Sequence, residues 1–134
     1  MKKILCISDQ IDPVIYSKDI KEKYGDVDFI ISAGDLPIDY LDFVQSSLNK
    51  PLYFVFGSHH LKALTHYHPE MAEKTKDGEV NIFKKGNTKK SNQGTYIGFK
   101  SLKHENIIIA GVSGAKKHND GKNQFTEKQM KRKL

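Results

Sequence analysis

Three short apolar runs set the rhythm of the first sixty residues: "KKILCIS", "VDFIISAGD" and "LYFVF", each ending in a polar or small-residue loop. Runs of this length, bounded by turn signals, fit strands buried on both faces, as in a parallel sheet. Between the first two, "DPVIYSKDIKEKYG" predicts a helix, with Asp12 at the N-cap, Pro13 at the first helical position, Tyr16, Ile20 and Tyr24 on one face, and Gly25 as a stop. Between the second and third, "DYLDFVQSSLNKP" places Leu41, Val44 and Leu48 at helical spacing, with Pro51 past the end. Strand, helix, strand, helix, strand is the pattern of an α/β fold with right-handed crossovers. In such a sheet ligands collect at the carboxyl ends of the strands, where Asp9, Asp35 and His59 all fall.

Beyond residue 60 the pattern is looser. "LKALTHYHPEMAEKTKDG" has room for a short helix, and "KKGNTKKSNQG" reads as an exposed loop. "TYIGF" and "NIIIAG" predict two further, adjacent strands, and "FTEKQMKRK" begins a helix capped by Thr126. No internal repeat is present.

The 134 residues suit one domain, 1–134, large enough to bury a core. No apolar run reaches the length of about 20 residues that a membrane span needs, and the amino terminus lacks the long apolar segment of a signal peptide. These features predict a cytoplasmic protein with no membrane partner. The single cysteine, Cys6, has no partner for an internal disulfide and reads as a buried structural thiol.

Charge is unevenly spread. Residues 1–83 carry 9 Lys+Arg against 13 Asp+Glu, residues 84–115 carry 6 against 1, and residues 116–134 carry 7 against 2. The acidic portion therefore holds the candidate carboxylates. The basic tail "EKQMKRKL" has no interleaved aromatics and no nucleic-acid motif, which predicts a solvated helix or frayed terminus and argues against nucleic acid as a partner.

Two carboxylates at the ends of neighbouring strands, with a histidine at the end of a third, can hold divalent metal beside a phosphate ester. Glycine beside the ligands lets metal and substrate approach the backbone. Each residue also has an ordinary reading. Asp9 can simply end a strand, Asp12 is better explained as a helix cap than as a ligand, and a lone Gly-Asp pair is common. His59 and His60 can be loop residues. His66, His68, His104 and His118 match no motif and read as surface histidines, and "GVSG" reads as a tight turn before it reads as a phosphate site.

Taken in order, "SDQI", "SAGDLP" and "FGSHH" resemble the first three motifs of the calcineurin-like metallophosphoesterases: Asp-x-His, Gly-Asp, and Gly-Asn-His followed by an acidic residue. "IIIAGVSG" and "NDGKNQFTE" are similar to segments that follow in such proteins. The resemblance implies the first half of a calcineurin-like phosphoesterase sandwich, cut short at its carboxyl end. It also implies hydrolysis of a phosphomonoester or phosphodiester by a metal-activated water. In that scheme Asp9 and Asp35 bind Mn, Fe or Zn, Ser58 occupies a weak ligand position and His59 assists catalysis. The departures are specific. Ile11 stands where the first motif has histidine, Ser58 replaces asparagine, His60 replaces the acidic neighbour, and no Gly-His-x-His occurs before Leu134. Two expectations follow: an impaired metal-dependent phosphoesterase, or a degenerate non-catalytic homologue acting as a binding module or without function of its own.

Overall fold

The computed structural model describes residues 1–69 and 94–134. The predicted alternation appears as a parallel four-stranded sheet in the order β1 (Ile4–Ile7), β2 (Phe29–Ser32), β3 (Leu52–Phe54), β4 (Thr95–Tyr96). Helix α1 (Ile20–Tyr24) links β1 to β2, and α2 (Ile38–Leu48) links β2 to β3. The fold is thus mixed α/β with its carboxyl-end loops on one side of the sheet.

Alternation along the strands separates two apolar layers. One contains Leu5, Ile7, Ile30, Leu52, Phe54 and Tyr96, packed against Ile20 of α1 and Tyr40, Leu41, Val44 and Leu48 of α2. The other contains Phe29, Tyr53 and Ile97, covered by Ile109. Ile109 comes from an antiparallel hairpin of β5 (Lys100–His104) and β6 (Ile107–Gly111). The hairpin is latched by His104, whose ring lies 4.7 Å from that of Phe29 and whose Nδ1 shares a 2.8 Å hydrogen bond with the Tyr53 hydroxyl. This second layer does not extend over β1. Ile4 is 39% exposed and Cys6 is exposed, so neither the buried thiol nor the doubly buried first strand expected from the sequence is found.

Other expectations shift in detail. The helix predicted from Asp12 begins only at Ile20. Asp12 Oδ1 accepts the Val14 amide at 2.7 Å, its carbonyl accepts the Tyr16 amide at 2.8 Å, and Ser17 Oγ donates to the Val14 carbonyl at 2.7 Å. These local bonds, with β-branched Val14 and Ile15 beside them, close a turn instead of propagating a helix. "TYIGF" and "NIIIAG" do not form a neighbouring strand pair. The first supplies β4 to the parallel sheet, while β6 pairs with "KSLKH", joined to "TYIGF" only through the Gly98–Gly111 bridge. The short helix after residue 60 is present as a 3-10 turn (Leu61–Ala63) running into α3 (Leu64–Tyr67), and "KKGNTKKSNQ" lies outside the described residues. A small parallel pair, β7 (Ala115–Lys116) with β8 (Gln124–Phe125), precedes α4 (Glu127–Lys133). Helix α4 has the predicted Thr126 cap, completed as a capping box by Gln129, and it buries no residue. Among the described residues no helix is long and apolar enough to cross a membrane.

Candidate functional site

Asp9, Asp35, Ser58 and His59 all sit in loops at the carboxyl ends of β1, β2 and β3, as the parallel arrangement dictates. The loops are stitched together. The Asp9 amide donates to the Gly34 carbonyl at 3.1 Å, and the His59 amide donates to Asp35 Oδ1 at 2.6 Å. His59 Nδ1 lies 3.6 Å from the same carboxylate oxygen and 3.3 Å from Ser58 Oγ.

Glycine makes this closeness possible at two positions. Gly34 has φ +108°, and a Cβ on it would meet the Gly57 nitrogen at 2.6 Å. A Cβ on Gly57 would in turn collide with the Asp35 carboxylate, so that carboxylate lies flat against the Gly57 backbone. Asp9 (φ 67°) and Asp35 (φ 59°) both adopt the left-handed conformation, in which a short polar side chain is better tolerated than most.

The two aspartates nonetheless stand in different surroundings. The Asp35 side chain is only 26% exposed and closes the β2 and β3 loops onto each other, whereas Asp9 is exposed. Ile11, at the position of the missing histidine, is 45% exposed. Among the described residues no group of three or more His, Cys, Asp or Glu is placed to hold a metal ion. With Ile11 and Ser58 at two of the ligand positions, this donor set does not fit the two-metal centre that the resemblance implies.

Behind the β3 loop stands a buried polar network. Ser113 is fully buried; its Oγ donates to the Phe56 carbonyl at 3.0 Å and accepts the Phe56 amide at 3.3 Å. Asn123, 3% exposed, donates through Nδ2 to the Gly57 carbonyl at 2.7 Å and the Phe56 carbonyl at 3.3 Å. The Gly114 amide adds a 2.6 Å bond to Phe56. "GVSG" is therefore a turn, as expected, but its serine holds the loop that presents Ser58 and His59. The remaining histidines divide. His118 is exposed, with Nδ1–H donating to the Lys116 carbonyl, while His68 is part-buried, 2.7 Å from the Tyr96 hydroxyl, and His104 is the hairpin latch. Neither His68 nor His104 is the surface residue predicted, because each fills an aromatic contact that local polarity conceals.

A pocket of about 450 Å³ opens at the other margin of this region, along β1. Its wall includes Ile7, Ser8, Ile11, Asp12, Ile15 and Tyr40. Ser8, Asp9 and Gln10 form a three-residue turn, with the Gln10 amide 2.8 Å from the Ser8 carbonyl. The positive φ of Asp9 makes this the rarer, more strained form of such a turn.

Against protein-family models, curated proteins and solved structures, the chain finds no match.

Proposed function

We propose that the chain is a calcineurin-like homologue that keeps the phosphoesterase framework and has given up metal-dependent turnover, leaving the carboxyl end of its sheet as a binding surface. One observation carries the reading: the aspartate of the Gly-Asp motif, Asp35, serves as a clasp, with Oδ1 2.6 Å from the His59 amide. A carboxylate used this way fixes the geometry of two loops through a charge-assisted hydrogen bond. Ile11 and Ser58 at two further ligand positions point the same way, since one cannot coordinate and the other offers a neutral oxygen.

The convergence of Asp9, Asp35 and His59 favours a second reading, a slow phosphoesterase acting on a phosphomonoester or phosphodiester, with His59 assisting the leaving group. Calorimetric titration with manganese, run beside hydrolysis of p-nitrophenyl phosphate, separates the two. The binding-module reading expects weak or absent heat and no turnover above buffer. Tight manganese binding at two sites per chain, with turnover abolished by Asp35→Ala in a folded protein, would replace it with the enzymatic one.

A further inference from the structure

The connection between β7 and β8 presents an aspartate directly before a glycine, Asp120–Gly121, at an exposed loop tip. Glycine has no Cβ to shield its backbone nitrogen, and that nitrogen lies within reach of the preceding side-chain carboxyl. It can close on Asp120 Cγ: the N–Cγ bond forms, the Cγ–O bond of the protonated carboxyl breaks, and the amide proton leaves with the hydroxyl as water. Water then reopens the succinimide ring at either carbonyl, restoring aspartate or giving isoaspartate, whose main chain runs through Cγ and is one methylene longer. The sequence needs no reactant besides water. The Asp120 side chain is fully exposed and pairs with Lys117 at 3.3 Å, a surface contact that does little to keep it from its own backbone.

The rest of the loop restrains this reaction. The Gly121 amide donates to Asn119 Oδ1 at 2.7 Å, which engages the nitrogen that would attack and fixes the plane of its peptide. The same Oδ1 accepts Gln124 Nε2 at 2.6 Å, and Gln124 Oε1 accepts the His118 and Asn119 amides at 3.1 and 3.2 Å. A Cβ at position 121 would press into the Gln124 side-chain amide and meet Asn119 Oδ1 at 2.8 Å. The glycine that makes the bond reactive is therefore the residue that the restraining bonds require. We propose that Asp120–Gly121 is a site of spontaneous isomerisation to isoaspartate, restrained in the folded chain by Asn119 Oδ1, and that conversion loosens the support of the β3 loop. The link is Asn123, whose Nδ2 donates to the Gly57 carbonyl at 2.7 Å. One extra methylene in the connection that carries Asn123 shifts that donor from its acceptor. The assignment goes beyond the reading of the Asp35 loops and does not depend on it.

The test incubates the 134-residue protein at neutral pH, folded or unfolded in guanidinium chloride, and follows isoaspartate in the tryptic peptide 118–122 by electron-transfer fragmentation. Asp77–Gly78, the other Asp-Gly pair in the sequence, falls in a separate peptide. Isoaspartate is expected to accumulate readily in the unfolded chain and far more slowly in the folded one. With each variant held equally far below its own Tm, Asn119→Ala should speed the folded reaction about tenfold, the factor that one good hydrogen bond supplies. Asn119→Asp, which can accept both bonds, should stay slow. In folded protein enriched in isoaspartate, the Ser58 amide, on the same peptide group as the Gly57 carbonyl, should shift. Equal rates folded and unfolded, an Asn119→Ala variant no faster than the parent, or an Asn119→Asp variant as fast as Asn119→Ala would overturn the restraint. An unmoved Ser58 amide in the converted protein would overturn the link to the β3 loop.

Discussion

The loops after β1 and β2 begin alike and end differently. Each carries an aspartate with positive φ just past a parallel strand, Asp9 at 67° and Asp35 at 59°. At Asp35 the carboxylate is drawn into the protein, against Gly57 and onto the His59 amide, with the Ser113 and Asn123 network behind it. At Asp9 the side chain is exposed, beside the pocket along β1. The same residue on the same backbone conformation is structural in one loop and available in the other. What decides is the neighbouring backbone: where the β3 loop brings an amide within reach the Asp35 carboxylate accepts it, and on the edge strand β1 the Asp9 side chain stays exposed.

The largest break in that contrast should come from the backing network. Asn123→Ala strands the Gly57 carbonyl, while the Phe56 carbonyl keeps its Ser113 and Gly114 donors, and it puts alanine at φ 53°; together these are expected to cost about 2–3 kcal/mol in urea unfolding. A cost under about 0.5 kcal/mol would mean that the β3 loop does not depend on it. A smaller effect should appear with pH, at the opposite end of the sheet. The Lys3 amide, bonded at 2.7 Å, holds the Asp28 carboxyl below its ordinary pKa, with Lys2 contributing, and Lys3 does the same for Asp26. Because these pKa values are lower folded than unfolded, their stabilisation is present above the ordinary carboxylate range, roughly pH 4, and is lost as pH falls through the lowered values. Tm should decline in that acid window, and Asp28→Asn should flatten the decline; an unchanged acid profile for Asp28→Asn would remove Asp28 from the account.

Much of the framework was legible because it rests on local pattern. The three apolar runs became parallel strands, Leu41, Val44 and Leu48 became the buried face of α2, and Thr126 became a cap, each from a signal within a few residues. The losses are non-local. "KSLKH" reads as polar, yet Leu102 and His104 face the second layer and make it β5. Ser113 and Asn123 look like ordinary loop residues, and only their distance from Phe56 in space makes them supports of the site. The two glycines of "GVSG" were the available hint, and they specify no partner 57 to 67 residues away. At the site, the order of Asp9, Asp35 and His59 predicted convergence correctly. The use of Asp35 as a clasp could not be read from sequence, because it depends on the close approach of Gly34 to Gly57.

Paired alanine substitutions test directly whether Asp35 is a clasp and Asp9 is free. Asp9→Ala and Asp35→Ala each place alanine at a similar positive φ, so the backbone penalty is common to both and cancels in their difference. What remains is the bond from Asp35 to the His59 amide. In urea unfolding without metal, Asp35→Ala should be less stable than Asp9→Ala by about 1–2 kcal/mol, and added manganese should leave that gap unchanged. Equal stabilities, or a gap that appears only when manganese is present, would show that Asp35 is held for a cation and not for the loop.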